Sequence, residues 1–224
     1  KTAGAIASPT IIPSMVLGAD EKPAASERVT IGPIGAGGKG RDLMGDFSRQ
    51  CKEVQFIAVA DPDQVHAGKG KALAEKLFGK GCEIYKDFRQ LCARKDIDAV
   101  VVATPDHWHA LACLEAIRSG KDVYGEKPVT HLFGEGQVLY REVAKHKRIF
   151  QVGAQQRSNS FFRRAVEVVL NGHIGRVKEV HVGLPTGEST QEEAKVAQAL
   201  PGHLDYELWC GPSRTLPVGI RCRI

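Results

Sequence analysis

The sequence lacks several features that define common functional classes. Aromatic residues make up only 6% of its 224 residues, and the basic residues behind the formal net charge of +5 are scattered. Nucleic-acid sites usually combine clustered basic groups with aromatic side chains, so we expect no nucleic-acid partner. No apolar run reaches the roughly 20 residues that a membrane-spanning helix needs, so we expect no membrane association.

Metal-binding and disulfide motifs are also missing. The six cysteines and eight histidines show neither CxxC nor HExxH spacing, so we expect no metal and no disulfide framework. Cys92 and Cys113 lie in apolar helical patterns and are expected to be small buried side chains. His66, His146, His173 and His203 lack any supporting motif and are expected at the surface.

The first 27 residues differ from the rest. Residues 1–16 carry one charge, at Lys1, and are rich in small and apolar residues, while Gly18 and Ala19 would suit a cleavage site. The run KTAGAIA resembles the segment that follows the twin arginines of a Tat signal. We therefore expect residues 1–27 to be an export-signal remnant with a linker, in a periplasmic or secreted protein. The alternatives are a disordered arm and a cytoplasmic protein.

Strand-length apolar runs alternate with helix-period segments from residue 28 onward. Strands are predicted at 29–34, 54–60, 84–85, 99–103, 122–124 and 149–152. Helices are predicted at 38–50, 63–79, 107–119 and 136–147, and a short helix that ends at 91 follows the third strand. This alternation predicts a doubly wound parallel α/β sheet, a Rossmann domain over residues 28–152. Pro33 lies inside the first strand and has no N–H for the ladder, so we expect a local distortion and a weakened domain.

A glycine-rich turn follows the first predicted strand with GxGxxG spacing. Its residues are Gly35, Ala36, Gly37, Gly38, Lys39 and Gly40. The first glycine permits a tight turn, the second lets the backbone approach a pyrophosphate, and the third lets helix and strand pack closely. Asp61 ends the next strand, where a carboxylate accepts hydrogen bonds from ribose hydroxyls and repels a 2′-phosphate. The sequence therefore predicts NAD in preference to NADP, with Lys39 either near a phosphate or facing solvent.

Two polar motifs follow later strands. Residues 104–109 (TPDHWH) come directly after the fourth strand, and residues 126–128 (EKP) directly after the fifth. Because the carboxyl ends of parallel strands form the ligand-binding edge of such sheets, we expect both motifs at one site.

With the glycine loop, these motifs resemble the glucose–fructose oxidoreductase / inositol dehydrogenase family (Gfo/Idh/MocA). The runs TPDHWH, YKDFRQL at 85–91 and QVGAQQRS at 151–158 are similar to its exported bacterial predicted-dehydrogenase branch. The resemblance extends from about Arg28 to Trp209. It implies an NAD-dependent oxidoreductase that acts on a sugar, cyclitol or related polyol, and homo-oligomeric full-length relatives.

The resemblance also implies residue roles. Lys127 corresponds to the family's lysine that takes the hydroxyl proton or holds the hydroxyl, which requires desolvation to lower its pKa. His109 is the second expected catalytic residue, beside the nicotinamide, although it equally suits a helix start. The other residues expected to line the cofactor pocket are Thr104, Pro105, His107, Trp108, Glu126 and Gln155. Gln156 and Arg157 are expected to contact the substrate.

The stretch 153–224 is predicted to be an incomplete α/β substrate domain. A helix at 161–170, ended by Gly172, and a strand at 177–182 are indicated, and residues 201–212 (PGHLDYELWCGP) still resemble the family. Residues 213–224 do not, and the family's second-domain Asp and His are not found. The open alternatives for function are an NAD-dependent glycoside hydrolase of the same fold and a catalytically inactive dinucleotide-binding fragment.

Overall fold

The computed structural model describes residues 23–183 and 199–213. The predicted export signal lies almost wholly outside the described residues, as do residues 214–224 at the chain's end. Within the described part, no helix is long and apolar enough to cross a membrane.

One parallel sheet organises the described residues. Its strands are β1 (Val29–Ile34), β2 (Val54–Phe56), β3 (Ala58–Ala60), β4 (Glu83–Tyr85), β5 (Ala99–Val102), β6 (Asp122–Glu126) and β7 (Phe150–Gly153). Their order is β4-β3-β1-β5-β6-β7, and β2 pairs with β1 next to β3. With β2 and β3 counted as one interrupted strand, this is the strand order of a Rossmann domain, as the sequence predicts.

Helices connect the strands and cover both faces of the sheet. They are α1 (Gly38–Gln50), α2 (Gln64–Phe78), α3 (Phe88–Cys92), α4 (Asp106–Arg118), α5 (Phe133–His146), α6 (Gln155–Ser158), α7 (Ser160–Leu170) and α8 (Tyr206–Cys210). A 3-10 turn at Ala25–Glu27 precedes β1. Helix α5 begins three residues earlier than predicted, because the Glu135 carboxylate accepts hydrogen bonds from the backbone N–H groups of His131 and Leu132.

The core has two halves, one on each face of the sheet. Val100 and Val102 point to the face covered by α3 and α4, where Cys92 and Cys113 are also buried. Val101 points to the opposite face, against α1 and α2. This burial on both faces explains why β5 is almost wholly apolar. Both buried cysteines behave as small apolar side chains, as expected.

Pro33 is buried in β1, and the strand continues through it to Ile34 without a break. The irregularity lies in the neighbouring strand, where the pairing register shifts by one residue. Ile31 pairs with Phe56, but Ile34 pairs with Ala60. The predicted strand over residues 54–60 is therefore two short strands, and the predicted six strands become seven.

The inserted residue is Ile57. Its N–H donates to the Ile31 carbonyl at 3.2 Å, but its own carbonyl accepts from the Glu83 N–H of β4 at 3.1 Å. In a regular parallel ladder that carbonyl would face residue 33. The bulge turns it away, so Pro33 lies where no donor is needed. The distortion expected from Pro33 is therefore present, but it lies in the adjacent strand and not in β1. The expected weakening of the domain stays a prediction.

The described residues after β7 fall into two parts. Helix α7 forms where the sequence predicts it, but it has no buried residue, and Phe161 and Leu170 are exposed. The strand predicted at 177–182 is wrong: these residues form neither helix nor strand and are exposed. Without a paired neighbour among the described residues, this apolar stretch has no ladder to join. Residues 199–213, by contrast, pack on the Rossmann domain.

Candidate functional site

The glycine loop connects β1 to α1 at the carboxyl edge of the sheet. Gly35 has φ of +90°, and a Cβ there would lie 2.6 Å from the Ala103 carbonyl oxygen, so the turn requires glycine. A Cβ on Gly40 would lie 2.0 Å from the Gly35 oxygen. Gly37 and Gly38, in contrast, have no atom within 4 Å of their Cβ positions. The loop is thus tight against its own strand and open on its outer side, where N–H groups of the α1 N-terminus are exposed to a ligand.

Asp61 follows β3 and lies beside this loop. It is 7% exposed, and its carboxylate accepts hydrogen bonds from the backbone N–H groups of Ala36 at 2.7 Å and Asp63 at 2.9 Å. Burial raises the pKa of Asp61 above the ordinary aspartate value of 3.8, although these two hydrogen bonds and the nearby His66 oppose the shift. Asp61 therefore fixes the glycine loop and keeps further lone pairs for hydroxyl donors.

The Lys39 side chain is 38% exposed and borders the cavity, and its approach to a phosphate stays a prediction. Its ammonium lies 3.3 Å from the Glu126 carboxylate and also donates to the Gln155 side chain. Glu126 is 5% exposed, and its Oε1 accepts no hydrogen bond of good geometry. The contact is therefore a charge pair between the glycine loop and the end of β6.

Lys127 directly follows β6. Its side chain is exposed, its backbone N–H contacts the Glu126 carboxylate at 3.3 Å, and the Lys127–Pro128 peptide bond is cis. The burial expected around this side chain is not provided by the described residues. Lys127 is thus exposed at the carboxyl edge of the sheet and directly follows the Glu126 that pairs with Lys39.

His109 is buried in α4, at 2% exposure. Its Nδ1 lies 2.5 Å from the Pro128 carbonyl oxygen, and its Nε2 lies 2.9 Å from that of Thr104. Both ring nitrogens are thus occupied by backbone carbonyls of the two site loops. These contacts tie residue 104 to residue 128, so His109 positions the two site loops, and its expected catalytic part beside the nicotinamide stays a prediction.

Three of the remaining expected cofactor residues border one cavity of about 310 Å³. Thr104, Pro105 and Trp108 line it together with the glycine loop and Asp61. The Thr104 hydroxyl is buried and has no hydrogen-bond partner among the described residues. His107 does not line this cavity; its ring nitrogen lies 3.1 Å from the Trp209 carbonyl oxygen.

The expected substrate residues lie apart from the cavity. Gln155, Gln156 and Arg157 form the exposed helix α6 after β7. Gln155 contacts Lys39, which places the start of α6 beside the glycine loop. Gln156 and Arg157 follow Gln155 on the same short helix, and their contact with a substrate stays a prediction.

The profile of the family described as "Oxidoreductase family, NAD-binding Rossmann fold" (GFO_IDH_MocA) matches residues 29–154, more than half of the chain. The chain belongs to the Gfo/Idh/MocA family. The match covers the glycine loop, Asp61, the TPDHWH turn and the EKP turn, so the family assignment rests on the same residues as the site.

Curated relatives of this Gfo/Idh/MocA chain include sugar- and cyclitol-related proteins. An inositol 2-dehydrogenase/D-chiro-inositol 3-dehydrogenase from Shouchella clausii is 30% identical over 81% of this chain and 52% of its own length. A 2,7-anhydro-N-acetylneuraminate hydratase from Mediterraneibacter gnavus is 28% identical over 78% of this chain and 45% of its own length. The chain thus spans about half the length of the curated relatives it matches.

Solved structures agree with the fold. A putative myo-inositol dehydrogenase from Sinorhizobium meliloti superposes with a TM-score of 0.57 at 29% identity, covering 66% of this chain and 42% of that one.

The residues of the site fit NAD. The outer side of Gly37 and Gly38 is open to a pyrophosphate, Asp61 retains acceptor capacity for ribose hydroxyls, and the buried Thr104 hydroxyl has no partner among the described residues. Each is a group that the dinucleotide would complete.

Sequence reasoning missed part of this site. His66, Lys86, Leu208 and Trp209 also line the cavity. His66 and His203 lie at the surface as expected, with side chains 38% and 45% exposed, and ring nitrogens of both also lie near the buried Asp63 carboxylate, at 3.8 and 3.6 Å. The one signal in the sequence for Leu208 and Trp209 is the resemblance of residues 201–212 to the family. That resemblance does not show that the segment packs beside the cavity. Among the described residues, no group of three or more His, Cys, Asp or Glu side chains is placed to hold a metal.

Proposed function

We propose that this chain is the cofactor-binding part of an NAD-dependent oxidoreductase that transfers hydride between nicotinamide and a sugar, cyclitol or related polyol. The observation that carries this proposal is the placement of Lys127. It follows β6 at the same sheet edge as the glycine loop, and the Lys39–Glu126 pair links the two turns. A proton acceptor thus lies beside the cofactor loop.

The chain's own residues prepare the reaction. Bound NAD supplies the hydride acceptor or donor. Lys127 holds the substrate hydroxyl and takes its proton, and the buried Glu126 directly before it pairs with Lys39 of the cofactor loop. His109 fixes the geometry of the turn that carries Lys127. Gln156 and Arg157 on the exposed α6 are suited to bind hydroxyl or carboxylate groups of the substrate.

The substrate class is supported by the relatives rather than by a pocket. Several curated relatives are named inositol 2-dehydrogenases, which favours a cyclitol with vicinal hydroxyls. We extend the proposal to export through a Tat-type signal, on the composition of residues 1–27, and to homo-oligomeric assembly, for which the exposed apolar side chains of α7 provide a suitable surface.

A second candidate is a reaction with no net redox change on a sugar. It is favoured by the hydratase among the curated relatives. The NAD-dependent glycoside hydrolase considered from the sequence is one reaction of this kind, since hydride would return to the substrate within the same turnover. The two candidates share the dinucleotide site and differ in whether NADH accumulates.

Turnover with a panel of cyclitols and sugars tests these proposals. We expect NADH to form from NAD with at least one cyclitol, and Lys127→Met to lower the rate roughly 100-fold or more, as for loss of a general base, while NAD binding is retained. Lys95→Met is the matched control, since this exposed lysine lies in the turn before β5, at the opposite sheet edge. An unchanged rate in Lys127→Met contradicts the assignment of the base. Sugar conversion without NADH supports the second candidate, and NAD binding without any turnover supports a dinucleotide-binding fragment.

A further inference from the structure

Residues 201–211 continue the wall of the dinucleotide cleft. Directly after Asp61, the Pro62 carbonyl accepts from the Asp205 N–H at 3.0 Å, and the Gln64 N–H donates to the His203 carbonyl at 2.9 Å. Asp63 and Leu204 form an isolated antiparallel bridge between them. The segment therefore docks by backbone hydrogen bonds onto the loop that carries the predicted ribose-binding carboxylate.

A second set of contacts holds the other end of the segment. The Trp209 carbonyl accepts from the indole N–H of Trp108 at 3.0 Å. Asp205 forms an ion pair with Lys86 at 2.5 Å and accepts from the Leu208 N–H, which starts α8. A Cβ on Gly211 would lie 2.1 Å from the Trp108 ring, so the segment passes in direct contact with that indole. The segment is thus tied both to the loop after β3 and to the start of α4.

The docked segment lines the cavity. Leu208 and Trp209 border it with Pro105 and Trp108, while Asp61 and the glycine loop border it from the other side. The loop fixes the direction in which a dinucleotide lies, because the pyrophosphate belongs at the α1 N-terminus and the adenosine ribose at Asp61. The segment docks on the loop directly after Asp61, which is the adenine end. Besides the glycine loop, the cavity lining includes the aromatic Phe88, Trp108 and Trp209 as well as the polar His66 and Lys86.

We propose that residues 201–211 form one wall of the adenine subsite, with Leu208 and Trp209 packing against the base. Aromatic side chains are suited to this role, since every base has a π-face that stacks on them. Adenine binding and docking of the segment then stabilise each other, because each buries the other's apolar surface. This inference rests on the proposed dinucleotide binding and adds a segment outside residues 29–154, which the family profile matches.

The chain provides its own reporter for this proposal. Its only two tryptophans are Trp108 and Trp209, and both line the cavity. Binding of 5′-AMP, which contains the adenosine half of NAD, should therefore change the intrinsic fluorescence of the chain. Nicotinamide mononucleotide, which lacks adenine, should leave it nearly unchanged.

Variants separate the wall from the rest of the site. We expect Trp209→Leu to weaken 5′-AMP binding roughly tenfold, within the range found for removing a base-stacking aromatic, with nicotinamide mononucleotide binding unchanged. Asp205→Ala, which removes the Lys86 ion pair and the α8 cap, should weaken 5′-AMP in the same direction without replacing a cavity-lining residue. Tyr140→Leu on α5 is the matched control, since its ring is 78% exposed.

The outcomes are distinguishable. Weaker 5′-AMP binding in both Trp209→Leu and Asp205→Ala, at a melting temperature that shows folded protein, supports the proposal. Unchanged 5′-AMP and NAD affinity in both variants overturns it and leaves the proposed function intact. If the unsubstituted chain binds neither NAD nor 5′-AMP, the proposed function and this inference both fail.

Discussion

The ammonium of Lys39, in the glycine loop, lies 3.3 Å from the carboxylate of Glu126 at the end of β6. Since Glu126 is 5% exposed, the pair compensates a carboxylate that water reaches poorly. The same lysine also donates to Gln155 at the start of α6. One side chain of the cofactor loop thereby contacts both the turn that carries Lys127 and the helix that carries the expected substrate residues.

Lys39→Met should weaken NAD binding and destabilise the domain. Because Lys39 is 38% exposed, we discount the contribution of its charge contacts to about 1 kcal/mol. An effect of that size on NAD binding corresponds to roughly a fivefold rise in the Kd. Isothermal titration and thermal melts measure both effects, with Lys69→Met on α2 as the exposed control. The double variant Lys39→Met/Glu126→Gln should recover stability, because the buried charge is then gone; a double variant that melts lower than Lys39→Met would contradict this account.

Two glycines of one loop should respond differently to alanine. Gly40→Ala places a Cβ 2.0 Å from a backbone oxygen and should cost about 2 kcal/mol or more in the free energy of unfolding. The Cβ added by Gly37→Ala has no atom within 4 Å, so the free energy of unfolding should stay within about 0.5 kcal/mol of the parent value. Its methyl nevertheless takes the space of the pyrophosphate, so NAD should bind at least about tenfold more weakly. Urea unfolding and NAD titration of the pair check this, and equal NAD affinity in Gly37→Ala would be incompatible with phosphate binding here.

His109→Ala should loosen the turn that carries Lys127. It removes the ring nitrogens that lie against the carbonyls of Thr104 and Pro128, one of them a hydrogen-bond donor in the neutral ring, and leaves a buried cavity. Together these losses should cost roughly 2–4 kcal/mol in unfolding free energy. His109→Gln should recover part of this loss, because its amide still has two N–H donors. Thermal unfolding is the measurement, and His173→Ala in the exposed turn after α7 is the control. If His109→Ala melted like the parent chain, the positioning role would be wrong.

NAD affinity should depend on pH through Asp61. Burial raises the pKa of this carboxyl above 3.8, so it becomes protonated at a higher pH than an exposed aspartate. A protonated carboxyl accepts fewer hydrogen bonds, and the affinity for NAD should fall as the pH drops towards that raised pKa. The effect of Asp61 on the ligand-free fold has the opposite sign: its stabilising contribution is present below the unfolded-state pKa and is lost as the pH rises through the folded-state pKa.

Asp61→Asn provides the test of that pH effect. This variant should bind NAD weakly at all pH values, with this pH dependence removed, and should discriminate less against NADP, since the repulsion of a 2′-phosphate is gone. Titrations of both dinucleotides from neutral pH to about pH 4 measure it. A parent-like fall in NAD affinity in Asp61→Asn would assign the pH dependence to another group, such as the neighbouring His66.

The features predicted correctly from the sequence follow local rules. Gly35, Gly40 and Asp61 occur in an order that the chain itself specifies, so a strand, a tight turn and a following carboxylate suffice to place them. The missed features depend on contacts between distant positions. The partners of Lys39 lie 87 and 116 residues further along the chain, and no spacing rule connects Trp209 with Trp108.

Pro33 illustrates the same limit inside the sheet. Its missing N–H is a local fact, and the need for some distortion follows from it. Which strand takes up the distortion depends on where Ile57 points its carbonyl, which is decided by pairing with Glu83 on β4. Likewise, the β propensity of residues 177–182 is real, but a strand forms only where a partner edge is available.

The central claim is tested most directly by titrating the purified chain with NAD and, separately, with NADP, following tryptophan fluorescence, with Gly37→Ala alongside. The account predicts saturable NAD binding, NADP binding at least about tenfold weaker because of Asp61, and a loss of NAD binding in Gly37→Ala at an unchanged melting temperature. Equal binding of both dinucleotides, or parent-like NAD binding in Gly37→Ala, would contradict the placement of the dinucleotide at the glycine loop and Asp61.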